Sequence, residues 1–153
     1  MPPETVSAPE RLLGLPEVNV ALFAFLLNFV WEMWQAPFFR RMPTAPHWEA
    51  VQFCTLATFG DAVMMVVGFW VVAAVARSRS WVLDPTVAQV LGLVAVGVGM
   101  TLVFEWLATE VLHRWEYAPR MPRLPLLGTG IAPVLQWVLL PPLVVWLVRR
   151  QLT

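Results

Sequence analysis

Four stretches of this chain, roughly residues 18–39, 51–76, 87–112 and 131–148, are strongly apolar and contain no Lys or Arg. Each matches the about 17–25 residues that an α-helix needs to cross a bilayer. Continuous runs of that length predict helices, since barrel strands would alternate in segments of about ten residues. The connections, "RRMPTAPHWE", "RSRSWVLDPT" and "HRWEYAPRMPRLPLLGTG", each carry Pro and Arg, as polar turns at a membrane edge should. The pattern predicts an all-α fold, a polytopic integral membrane four-helix bundle over residues 17–150. A surface tail is expected at 1–16 and a short one at 151–153, with both termini on the same side.

The polar exceptions inside the runs are spaced as helices require. Asn28, Glu32 and Gln35 follow i, i+4, i+7 spacing, and so do Cys54, Thr58 and Asp61. Thr101, Glu105, Thr109 and His113 follow i+4 steps. Residues three or four apart share a helix face, so each helix presents one polar stripe. A helical rise of about 1.5 Å per residue puts Glu32, Glu105 and Gln136 about 8–10 Å from one membrane edge. Asn28, Asp61 and Thr101 come out near the midplane, at about 15 Å. The economical arrangement turns every stripe inward, making a pocket that opens toward His113, Tyr117 and the first and third connections. The other half of the bundle holds little that is polar except Gln89.

Further along, Ala88, Gly92, Ala95 and Gly99 form a small-residue seam that would let a neighbouring backbone approach closely. Pro141 and Pro142 should kink the fourth helix near Trp137 and Val138 by removing amide donors. Trp48, Trp115 and Tyr117 would belong to one interfacial belt, Trp81 and Trp146 to the other.

Composition supports the bilayer as solvent. Of 153 residues, 59% are hydrophobic and only 13% charged, with mean hydropathy +0.68; soluble domains are about 25% charged. Net charge is zero, which removes the electrostatic case for nucleic acid. Ten Arg stand against no Lys, a bias that fits a GC-rich genome, and the expected location is a bacterial inner membrane. Arg falls five to a side, so the positive-inside rule assigns no orientation; copies inserted both ways and paired antiparallel would give such a tie. The single cysteine, Cys54, excludes an internal disulfide and CxxC chemistry. The N-terminal segment "MPPETVSAPERLLGLPE" lacks the basic and apolar regions of a cleavable signal.

Intramembrane acids are the strongest chemical signal. On insertion scales an ionised acid near a helix centre costs about 2.5–3.5 kcal/mol, so Glu32, Asp61 and Glu105 together approach about 8 kcal/mol. Such residues mark a functional site by default. Neighbouring carboxyls in low dielectric resist double ionisation, which would set a proton donor beside an acceptor. Asn28, Thr58, Thr101 and Gln136 fit either substrate contacts or interhelical hydrogen bonds, and Glu110 fits an i+4 ion pair with Arg114. No P-loop, GxSxG, HExxH or GxGxxG motif is present. One Glu-x-x-His, Glu110 to His113, is half of what a di-iron bundle uses, and no cofactor is assigned.

Residues 115–136, "WEYAPRMPRLPLLGTGIAPVLQ", are distantly similar to the W-x-Y…G…P layout of membrane carotenoid-cyclase domains. They lack the adjacent acid pair those domains carry after the proline, with Gln136 there instead, and the similarity transfers no function. Three readings remain. In the first, an enzyme acts on a lipid or isoprenoid, with Glu32, Asp61 and Glu105 moving protons. Asn28, Thr58, Thr101, His113, Tyr117, Arg120 and Gln136 would contact the substrate, and Arg114, Arg120 and Arg123 would hold a polar head. In the second, a non-catalytic subunit or assembly factor turns its stripes toward a partner's helices. In the third, a small homo-oligomeric transporter couples to protons. The expected partners are membrane lipid, a hydrophobic small molecule, and a second copy or a larger membrane complex.

Overall fold

The computed structural model describes residues 12–153, which form four long helices joined by short turns. Most of the expected N-terminal tail, and Arg11, lie outside the described residues. All four helices are long and apolar enough to cross a membrane, which fits an integral membrane protein.

Helix α1 spans Pro16–Gln35 and starts with Pro in its first turn, where the missing N–H has no partner to lose. The buried Asn19 amide donates to the carbonyls of Leu13 and Leu15 at 2.6 and 2.9 Å. Helix α2, His47–Ala76, is the longest at 30 residues and begins at His47 rather than Val51. It ends on Arg77 in the left-handed region, φ 52°. Ser78 donates to Ala73 and Arg77 to Ala74, the 6→1 and 5→2 pair of a Schellman motif with Arg in the position Gly usually takes. Helix α3, Val87–Trp106, opens on a capping box in which Thr86 and Gln89 satisfy each other's backbone N–H. That accounts for Gln89, and Asn19 at the start of α1 is a second polar residue of the same half. Helix α4, Ile131–Leu152, carries on through Pro141 and Pro142 and ends with Arg149 and Arg150 in its last turn.

Each helix packs on two neighbours: α1 on α2 and α4, and α3 on α2 and α4. The α2–α3 contact is the loosest of the four. Helix α4 buries half of its most apolar window and α3 only 17%, so α4 is the central helix and α3 the outlying one. The main core fills one half of the bundle with Val20, Met65, Phe69, Leu93, Trp137 and Val144. At its end Trp81 is 3% exposed, stacks on Phe69 and donates to the Phe69 carbonyl. It is therefore a core residue and not the belt residue expected from its position in a loop; Tyr117, 5% exposed, is buried in the same way at the opposite end.

The close approach between α3 and α4 is made by Gly97, where an added Cβ would lie 2.0 Å from the Trp137 ring. The expected Ala88–Gly99 seam does not make it: Ala88, Ala95 and Gly99 are exposed. Gly97 sits two residues before Gly99, on a different face of the helix.

Ion pairs Glu17–Arg79 and Arg149–Asp84 gather the start of α1, the α2–α3 connection and the end of α4 at one end. At the other end the first and third connections are strapped together. Arg40 N–H donates to the Glu116 carbonyl at 2.9 Å, Ala118 N–H to the Phe38 carbonyl at 2.8 Å, and the Arg40 and Glu116 side chains pair at 2.7 Å.

Candidate functional site

Gln136 of α4 is the hub of a polar cluster. Its amide Nε2 lies 2.7 Å from Asn28 Oδ1, 2.9 Å from Asp61 Oδ2 and 3.3 Å from Glu32 Oε1. An amide has two hydrogens to give, so Asn28 and Asp61 take the short bonds and Glu32 the long one. Glu32 is compensated by Gln35, whose amide donates to the same oxygen at 2.6 Å. One side chain thus joins α1, α2 and α4. The local geometry follows from spacing: Asn28, Glu32 and Gln35 share the buried stripe of α1, and Asp61 lies one turn beyond Thr58 on α2. Asn28 and Thr58 spend their own donors on backbone carbonyls one turn back, Ala24 and Cys54.

Glu105 is held from the loop side. The Tyr117 hydroxyl and the Trp115 indole N–H both donate to its Oε2. Tyr117 reaches this place because Gly130 gives its ring room: a Cβ there would come within 3.0 Å of Cε1. The guanidinium of Arg123 lies over the ring, 5.1 Å from its centroid. Burial first, then the charge of Glu105 and the bond to it, push the Tyr117 phenol well above its ordinary range, so it remains a neutral donor.

Glu32, Gln35, Asp61, Glu105, Trp115 and Gln136 border a cavity of about 650 Å³, a volume that suits a drug-sized or lipid-like molecule. Glu32, Asp61, Glu105, Thr101 and Gln136 meet at its polar end, and Phe53, Leu56, Met64, Phe104, Leu107 and Trp137 give apolar walls. Lining residues Leu56, Phe59, Val63 and Phe104 are 49–73% exposed. The cavity therefore opens sideways between α2 and α3, toward the surface that acyl chains would cover. Thr101 Oγ1, at the cavity wall, is buried without a hydrogen-bond partner among the described residues.

The structure brings Asn28, Glu32, Asp61 and Gln136 into one network and sets Thr101, Glu105 and Tyr117 close by. Thr58 is buried beside the cluster with its hydroxyl turned to the backbone. His113 and Arg120 are exposed and line no part of the cavity. His113 leaves the stripe because α3 widens into a π-helical turn over Leu107–Val111, which breaks the i+4 phase after Glu105. The chain then turns through His113 at φ 48°. Of the three Arg expected to hold a polar head, only Arg114 borders the cavity. Gln35 and Trp115 are added to the site; Gln35 lay on the α1 stripe, whereas nothing in the spacing of the loop aims Trp115 inward. Among the described residues no three His, Cys, Asp or Glu side chains gather as metal ligands would. No protein-family model, curated protein or solved structure matches this chain.

Proposed function

We propose that this is an enzyme of a bacterial inner membrane that draws an apolar lipid or isoprenoid from the bilayer and moves protons on it with Glu32, Asp61 and Glu105. The observation that carries the reading is the sideways-opening apolar cavity that ends on three carboxyl groups. General acid–base catalysis needs a proton donor and an acceptor on either side of the reacting group. Glu32 and Asp61 sit on a shared amide, and Glu105 reaches the same cavity from α3. Tyr117 and Trp115 position Glu105. Helices, not alternating strands, favour an inner over an outer membrane.

Native mass spectrometry of the protein in mild detergent, beside Glu105→Gln, tests this. The expected result is a bound lipid or isoprenoid in the wild type that is chemically different in the variant. Two empty proteins of equal mass behaviour would overturn it. A subunit role is the second reading, favoured by the exposed small residues of α3, Ala88, Ala95 and Gly99, which suit close packing on another helix. Glu105→Gln would leave a subunit working, since an amide still makes hydrogen bonds. A transport route finds less support, because it would have to pass the fully buried Met65, Phe69 and Val144.

A further inference from the structure

The polar end of the cavity brings three carboxyl groups and one hydroxyl together. Two amides, one phenol and one indole reach the three carboxyls, all on a single oxygen of each. The second oxygens, Glu32 Oε2, Asp61 Oδ1 and Glu105 Oε1, take nothing from the amide, hydroxyl or indole groups of the described residues. Thr101 Oγ1 is a buried oxygen without a partner at the same wall, in a residue only 4% exposed. Buried polar atoms without partners are rare in native proteins, and this hydroxyl, able to donate or to accept, faces the cavity wall with neither bond made.

Positive charge is equally scarce. The chain has no Lys, and the one basic residue on the lining, Arg114, is exposed at the start of the third connection. Aromatic rings of Phe39, Phe53, Phe59, Phe104, Trp115 and Trp137 line the space, and ring faces attract cations. An anionic head would meet three acids, and a plain hydrocarbon would leave the Thr101 hydroxyl without a partner.

We infer that the ligand of this cavity is a lipophilic amine, bound as its ammonium: a cation with N–H donors on an apolar body. The inference rests on the preceding reading that an apolar molecule occupies the cavity, and it names the class. The ammonium lies among Glu32, Asp61 and Thr101, giving charge-assisted hydrogen bonds to their oxygens. Its chain runs out between α2 and α3.

Three probes with one chain and three charges test it: dodecylamine, dodecanol and dodecanoate, each measured by native mass spectrometry in a non-ionic detergent. The variants are Asp61→Asn, which keeps shape and removes charge, and Gly60→Trp, which fills the mouth. Gly60 borders the cavity and an added Cβ there meets nothing within 4 Å, so a side chain can start from this position without a clash. We expect wild-type protein to take dodecylamine at least tenfold more tightly than either other probe, Asp61→Asn to lose that preference, and Gly60→Trp to exclude all three. Equal binding of the three probes, all blocked by Gly60→Trp, would overturn the amine and leave an apolar ligand standing. A preference for dodecanoate that Arg114→Gln removes would overturn it in favour of an anionic head. Binding of no probe, or binding that Gly60→Trp leaves intact, would overturn both the amine and the cavity reading beneath it.

Discussion

Gln136 has two amide hydrogens and three oxygen neighbours on two other helices, so its replacement strands more than one acceptor. Interhelical hydrogen bonds in membranes average about 0.6 kcal/mol, and stranded buried acceptors add to that. Gln136→Leu is expected to cost about 1–2 kcal/mol, read as lost thermal stability in detergent. An unchanged melting point would mean that the network adds nothing to the fold. Tyr117 offers a second test, because it is the only tyrosine in the chain. Burial, then the charge and hydrogen bond of Glu105, raise its folded pKa above the unfolded value of about 10. A group raised on folding stabilises the fold fully below its unfolded pKa, and that stability is lost as pH rises above it. Tyrosinate absorbance should therefore be absent from the folded protein just above pH 10 and appear on unfolding. Stability should fall more steeply there in the wild type than in Tyr117→Phe. Ordinary titration of the folded protein near 10 would contradict the burial.

Among the helices, α3 governs how the site is shaped, through one tight contact and one change of pitch. Gly97→Ala places a methyl inside the Trp137 ring position, which forces α3 and α4 apart; overpacking of this kind costs about 1–3 kcal/mol. Gly99→Ala meets nothing within 4 Å and should be neutral or better, since Ala exceeds Gly in helix propensity by about 1 kcal/mol. Comparing the two melting points checks the assignment; equal losses would place the contact elsewhere. The same helix shows what was legible in the sequence. Asn28, Glu32, Asp61 and Glu105 were readable because regular helices convert spacing into facing. His113 was not, because the π-helical turn inserts a phase change that spacing alone does not reveal. Gly97 was passed over for a regular seam, since which small residue meets a neighbour depends on a bulky ring from another helix. Trp115, Tyr117 and Trp81 sit in connections, where inward or outward direction is set by turns such as the bond pair between residues 38–40 and 116–118.

The molecule as a whole is asymmetric along its axis and around it. One half is filled by aromatic and aliphatic core, the other holds the buried acids, and the loosest helix pair among the described residues, α2 with α3, lies beside them. That gap has a thermodynamic consequence. A molecule passing through it is exchanged with the lipid phase and not with water, so its occupancy follows its mole fraction among the lipids. Water-based concentrations would describe binding poorly, and an affinity would change with the amount of bilayer in the tube. In vesicles with protein and ligand held constant, adding plain lipid should empty the site in proportion, as dilution does for a soluble enzyme. Changing the aqueous volume should do almost nothing.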